Sequence, residues 1–431
     1  MRSIARQTRA LFSLVRSRAV EVVAAFGYEL VLLFSLALIY PVTVRSLGPE
    51  GYGEYTTLYV IAGLAVTWVH AGCSAAMVQL ILQRHRTPGR VLQQARRQVA
   101  LVAVPACVLG VGAAVALLGS HLWVAATIIL AIDLLVGGIG STYLAVVFAQ
   151  RGAGPFSVIR SVNPLARLVG VAGLALVGKV TLLTLVLVNS VATIAMLVAA
   201  RAWSRSVLRA DAPEGEPPSA RELRSLSAMY SASMSTNAAQ GEADKIVLAH
   251  FRPLAEVGEY QAAYRIASIG ALPLQALSTA AVRWFLPTDD RPRAHLRKAA
   301  MLSIPIAGYG LLVAAGLFVA QPITQWVIGP EFELAVTMTL WLSFVPLLFG
   351  LAEVPTMGML GLGENRVRML MGFGTAFVAL VLLVVLTPMY GWRGTVVAIY
   401  LSELVSIVAG WVLLYRCQVR YDERRASSRE A

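Results

Sequence analysis

The segment Gly53-Glu54-Tyr55-Thr56-Thr57-Leu58-Tyr59-Val60-Ile61-Ala62 returns 205 residues later as Gly258-Glu259-Tyr260-Gln261-Ala262-Ala263-Tyr264-Arg265-Ile266-Ala267. Six of the ten positions are identical, and Pro49 and Pro253 precede the two copies at similar distances. Apolar matches recur by chance in such a composition. A Gly-Glu-Tyr tripeptide at the same place in two apolar halves is a stronger sign of repetition. Each copy leaves one long apolar run and opens the next.

Those runs extend in both directions from the repeat. They lie near 20–44, 55–83, 98–119, 121–149, 155–178 and 180–203, and again near 225–250, 257–286, 299–320, 332–361, 367–388 and 392–415. About 20 apolar residues are needed for a helix to cross the hydrocarbon of a bilayer, and these runs have that length. Barrel strands would be about half as long. The joints carry turn formers, as in Thr87-Pro88-Gly89-Arg90 and Arg151-Gly152-Ala153-Gly154-Pro155. Composition agrees: 58% of the chain is hydrophobic, 14% is charged and the mean hydropathy is +0.70. A soluble chain runs nearer about 25% charged. The expected fold is therefore an all-α polytopic membrane protein with about twelve transmembrane helices in two six-helix lobes.

Basic residues test this map. With a cytoplasmic N terminus, 28 of the 36 Lys and Arg fall in the termini and loops of the cytoplasmic side and 4 on the other side. The positive-inside rule asks for such a bias, and one miscounted span would scramble it. The net charge of +13 resides in these short loops facing anionic lipid, so nucleic-acid binding is not expected. Residues 1–19 hold five arginines with Ile4, Leu11, Leu14 and Val15 near one helical face, which predicts a basic interfacial helix rather than a cleavable signal peptide. The expected organisation continues with an N-lobe over 20–203, a Pro-rich cytoplasmic linker over 204–224, a C-lobe over 225–415 and a basic tail over 416–431. Six spans per half make the repeat parallel, with its pseudo-axis along the membrane normal. Two bundles around a central cavity are a transporter architecture.

Four cations fall inside spans: Arg160, Arg167, Lys245 and Arg265. Each costs about 2.5–3.5 kcal/mol at a helix centre, so such residues turn inward and mark substrate paths. Arg160, Asn163, Pro164 and Arg167 share one helical face. Guanidinium forks there suit phosphate oxygens, whereas Arg160, about a turn from the inner surface, is equally able to snorkel. Span 7 is the most polar, with Asn237, Gln240, Glu242, Asp244 and Lys245, and is expected to line the cavity. Lys245 has a local partner available in Glu242. Glu29, Asp133, Asp244, Glu353 and Glu403 either pair with these cations or carry protons or ions. His70 reads as a packed or hydrogen-bonded histidine. Cys73, Cys107 and Cys417 show no disulfide or metal spacing and read as packing residues. Neither a phosphate-binding glycine loop nor a metalloprotease motif is present, and no cofactor, metal or enzymatic role is expected.

Several motifs carry a resemblance. Leu47-Gly48-Pro49-Glu50-Gly51-Tyr52-Gly53-Glu54-Tyr55, then Asp244-Lys245-Ile246-Val247-Leu248 with Val257 to Arg265, then Gly329-Pro330-Glu331-Phe332, then Tyr390-Gly391-Trp392-Arg393-Gly394 occur in order. Together they resemble the Wzx-type lipopolysaccharide and polysaccharide biosynthesis flippases of the multidrug/oligosaccharidyl-lipid/polysaccharide exporter (MOP) superfamily. The resemblance implies two six-helix lobes, alternating access and a bacterial cytoplasmic membrane with both termini inside. It implies a polyprenyl-diphosphate-linked oligosaccharide as substrate, moved to the outer leaflet, with a polymerase or glycosyltransferases as further partners. The family's cationic cavity maps onto Arg160, Arg167, Lys245 and Arg265. Two other readings are a multidrug or toxin cation antiporter of the same superfamily, which would use the acids, and a non-transporting scaffold for polysaccharide synthases. Buried polar residues in span 7 speak against the scaffold.

Overall fold

The computed structural model describes residues 2–210, 219–271, 273–274, 277, 281, 284–285 and 293–430. Among them every regular element is helical. The first helix, α1 (Arg2–Val66), runs through one interruption at Gly48, where φ is 66° and ψ is 177°. Only glycine adopts that conformation without strain, so Gly48 is where the first pass ends and the second begins. A π-turn (Thr67–Ala71) leads into α2 (Gly72–Leu82). Then come α3 (Pro88–Leu118), started by a proline whose missing N–H costs nothing at that position, and α4 (Trp123–Ala131). A second π-turn (Ile132–Gly137) joins α4 to α5 (Gly138–Arg151), followed by α6 (Ala153–Leu176) and α7 (Leu182–Ala210). The later chain forms α8 (Ala220–Phe251), α9 (Leu254–Ile269), α10 (Ala294–Val319), α11 (Gln321–Ile328), α12 (Glu333–Leu342), α13 (Val345–Gly361), α14 (Asn365–Tyr390) and α15 (Trp392–Glu430).

Among the described residues nine segments are long and apolar enough to cross a membrane. One of them, Gly27–Leu82, has 56 residues and contains the first two expected spans. The polar α8 and the start of α9 coincide with the expected seventh and eighth spans, though neither is among these nine. The apolar windows are exposed rather than packed. In Pro88–Leu118 only 22% of the most hydrophobic window is buried, and Leu101 and Ile304 are 76% and 73% exposed. Water would not tolerate that surface, but hydrocarbon does. The protein is a multi-pass membrane protein.

Two compact units divide the chain. The first holds residues through Leu47 and then Leu58–Ser235; the second holds Gly48–Thr57 and Thr236–Ala431. Thus α8 changes unit within itself. Its first half joins unit 1, where the Tyr230 hydroxyl donates to Gln79 Oε1 at 3.1 Å and the Ser231 hydroxyl to the Trp68 carbonyl at 2.9 Å. In unit 2 a core of Leu274, Phe285, Leu302, Ile306, Met357 and Leu414 forms between α10, α13 and α15.

The motifs that carry the family resemblance meet in unit 2. Tyr52 and Phe332, both buried, pack edge to face with ring centroids 6.3 Å apart. The Trp392 backbone N–H donates to Glu256 Oε1 at 2.8 Å and the Ala335 N–H donates to Glu259 Oε2 at 2.8 Å. These carboxylates satisfy donors in the first turns of α15 and α12, which a helix itself leaves open. Part of these motifs therefore serves as joints and caps of the scaffold.

Candidate functional site

In unit 1 the polar residues collect on α6, α7 and the second π-turn. Asp133 lies in that turn, a geometry that inserts one residue per turn and is frequent at functional sites. Its carboxylate accepts from Asn189 Nδ2 at 3.2 Å and from the Thr193 hydroxyl at 3.3 Å. Asn163 donates to Thr193 Oγ1 at 3.4 Å, which extends the chain of bonds to α6. Arg167, half-buried, is close enough to Asp133 for their charges to attract, and its guanidinium carbon lies 5.5 Å from the centre of the Tyr59 ring. His70, in the first π-turn, lies near the backbone of Asp133. The structure thus brings Asp133, Asn163 and Arg167 together and adds Asn189 and Thr193.

Arg160 sits one helical repeat away on the same face of α6. It is exposed, with its guanidinium over the rings of Tyr28 at 4.4 Å and Phe156 at 5.3 Å. Both distances are within the range for cation–π attraction. Glu29, next to Tyr28, is exposed. Each guanidinium on the α6 face thus has a carboxylate in its surroundings, Asp133 near Arg167 and Glu29 beside the tyrosine under Arg160.

In unit 2, Gln240, Asp244, Tyr264, Phe349, Ser402 and Glu403 line a cleft of roughly 360 Å³, counted to its open mouth. Asp244 is 4% exposed; its Oδ2 accepts from the Tyr260 hydroxyl at 2.6 Å, while its Oδ1 has no hydrogen-bond partner. Glu403, also 4% exposed, makes no hydrogen bond or ion pair among the described residues. Glu353 is near enough to repel it and is itself exposed, accepting from the Thr356 hydroxyl at 3.1 Å. Lys245 is tied locally. Its Nζ donates to Glu242 Oε2 at 2.6 Å and to the Gly241 carbonyl at 2.9 Å, lies 4.0 Å from Asp244 Oδ1, and stands 4.3 Å above the Tyr264 ring. Arg265 is exposed and lies near Tyr52. The side chain of Asn237 lies outside the described residues.

Sequence reading missed the tyrosines under the cations and the α7 amide and hydroxyl. The repeat marks Tyr59 and Tyr264 as equivalent, so their shared role was accessible in principle. Nothing in the sequence placed Asn189 and Thr193 beside Asp133, because that meeting depends on the π-turn.

Residues 30–285, more than half of the chain, match the polysaccharide biosynthesis protein family. The chain belongs to that family. Among solved structures, an inward-facing multidrug resistance MATE transporter of the MOP superfamily aligns at a TM-score of 0.69 and 13% identity, over 93% of this chain and 99% of the other. The lipid II flippase MurJ in an inward closed conformation aligns at 0.67 and 11% identity, over 92% and 90%. A MOP superfamily transporter from Pyrococcus furiosus aligns at 0.63 and 13% identity, over 92% and 96%. At these identities the likeness concerns the fold: this polysaccharide biosynthesis protein has the MOP transporter and flippase architecture. No curated protein matches it by sequence.

Proposed function

We propose that this protein flips a polyprenyl-diphosphate-linked oligosaccharide from the cytoplasmic to the outer leaflet of a bacterial cytoplasmic membrane, with both termini inside. The reading rests on one observation: two guanidiniums, Arg160 and Arg167, on one face of α6 within a membrane-spanning helix, each over a tyrosine ring. A diphosphate and its sugars cannot enter hydrocarbon unaided. Arginine offers them charge and paired donors while surrendering less hydration than lysine. Alternating access by the two repeat halves would move the headgroup while the lipid tail stays in the bilayer. Polysaccharide polymerase or glycosyltransferases are the partners such a cargo needs.

The acid-lined cleft of unit 2 suits a coupling role. Asp244 Oδ1, buried without a hydrogen-bond partner among the described residues, and the buried Glu403 could bind a proton or a monovalent cation whose entry drives the cycle. The same cleft is what favours the rival reading, a cation antiporter. Deletion cells separate the two. A flippase predicts that an oligosaccharide-loaded polyprenyl lipid builds up in the inner leaflet and that surface polysaccharide falls, with Arg167→Ala unable to restore either. An unchanged lipid pool, in cells without a second flippase, would overturn the proposal and direct attention to cation efflux.

A further inference from the structure

Tyr59 and Tyr264 occupy the same position of the internal repeat. Each carries a membrane-embedded cation on its ring, Arg167 at 5.5 Å in unit 1 and Lys245 at 4.3 Å in unit 2. The two cations do not correspond. Arg167 is on α6 and Lys245 on α8, and the residues 205 positions from them are Gly372 and Tyr40. The repeat therefore explains the tyrosines but not their partners: each half has brought a cation to the same ring from a different helix. Both cations also lie near acids, Arg167 near Asp133 and Lys245 against Glu242 and Asp244.

A long cation inside a bilayer tends to snorkel towards the headgroups. A carboxylate can restrain it, but cancels the charge that an anionic ligand would meet. A ring face attracts the cation by its quadrupole and leaves the net charge intact. Such a plate fixes direction without neutralising.

We propose that Tyr59 and Tyr264 are repeat-related positioning residues, each holding one intramembrane cation on its ring so that it turns into its own unit rather than to the lipid headgroups. For Tyr59 this deepens the flippase reading and rests on it, since Arg167 is then oriented for the diphosphate. Tyr264 holds Lys245 beside Asp244 at the cleft.

The test uses the full-length protein in detergent micelles, with thermal unfolding and binding of geranylgeranyl diphosphate as readouts. Without ligand, Tyr59→Leu with Arg167→Ala, and Tyr264→Leu with Lys245→Ala, are each run as double-mutant cycles. The expected result is non-additivity in both units, the double variant falling no further in Tm than the worse single one, with Tyr→Phe close to wild type. Additive losses in both cycles would overturn the proposal. For binding, Tyr59→Leu and Arg167→Ala should each raise Kd about tenfold, the size of a cation–π contribution, the double no more than Arg167→Ala, and Tyr59→Phe within about twofold. Tyr59→Leu binding like wild type while Arg167→Ala loses affinity would overturn the role of Tyr59. A wild-type protein that ignores the diphosphate would count against the flippase reading instead, and the ligand-free cycles would still decide the positioning.

Discussion

Gly53 and Gly258 lie face to face in unit 2, each closed to any side chain by the other's helix. A β-carbon on Gly53 would run into the Leu254 carbonyl oxygen and reach within 3.0 Å of the Gly258 nitrogen. One on Gly258 would run into the Pro49 carbonyl oxygen and reach within 2.8 Å of the Gly53 nitrogen. The offsets 49 to 254 and 53 to 258 are both 205, so the contact is its own mirror under the repeat, as in an isologous interface. The two copies of Gly-Glu-Tyr resemble each other because they meet here.

Alanine at either glycine should therefore separate the helices. Overpacking costs about 1–3 kcal/mol where side chains can move aside, and here the obstruction is backbone. Gly53→Ala and Gly258→Ala should show a strongly lowered Tm or no monodisperse protein at all. Gly63→Ala is the control: no atom lies within 4 Å of its β-carbon, and helix propensity alone should leave it neutral or slightly stabilised. Equal behaviour of all three would show that the crossing is looser than described.

The Glu222 carboxylate accepts from Arg84 at 2.5 Å and lies 3.4 Å from Arg86, outside the membrane-spanning segments. The hydrogen bond from Arg84 is the main cause holding its pKa below the usual carboxylate value, with Arg86 and Arg84 charge adding to it. A depressed folded pKa contributes stability above the unfolded value of about 4.3 and loses it as pH falls through the folded one. Arg84 is exposed and Glu222 partly so, so the pair is worth about 1 kcal/mol and weakens with salt. Glu222→Gln should lower Tm slightly at neutral pH, by less in high salt, and match wild type once the pH is well below 4.3. A constant difference down to acid pH would mean that shape rather than charge matters at this site.

Asp133 and Arg167 should behave as a unit. Removing one member of a buried pair leaves the other charge uncompensated, which costs up to about 3–5 kcal/mol at full burial; both residues here are half-buried, so less is expected. Asp133→Ala should lower Tm, and adding Arg167→Ala should recover part of the loss. Additive losses would place the two side chains out of electrostatic reach.

Glu256, in the first turn of α9, ties the α8–α9 turn to α15: it accepts from Arg252 at 2.8 Å and from the Trp392 N–H at 2.8 Å at the start of α15. Glu256→Ala should cost about 1 kcal/mol or more, the usual worth of a helix N-terminal cap, seen as a lower Tm and as faster amide exchange at Trp392. Unchanged exchange at that amide would show that solvent can substitute for the carboxylate.

Much of this fold was legible because bilayer physics is coarse. Run length, loop charge and glycine joints place the spans, and the local pairing of Lys245 with Glu242 follows from their spacing on one helix. Hydropathy alone misses α8, whose serines, Asn237, Gln240 and Glu242 depress its average. It also cannot see the π-turns, since an inserted residue leaves no compositional trace. Those turns present His70 and Asp133, so the partners of Asp133 came only from the structure. Arg265 lies within an expected span, and only the structure shows that it is exposed beside Tyr52 while its neighbour Tyr264 lines the cleft.

The division inside α8 and the assignment of Gly48–Thr57 to the later unit have a consequence for any attempt to separate the halves. A cut between α7 and α8 yields one fragment that has lost the first half of α8, which belongs to its own unit, and keeps ten residues, Gly48–Thr57, that belong to the other. Its complement has the reverse defect. Neither fragment contains a whole unit, so each is an obligate clamp for the other: the pieces should be recoverable when co-expressed and insoluble or degraded when made alone. Each half of the sequence therefore carries a piece of the other half's unit.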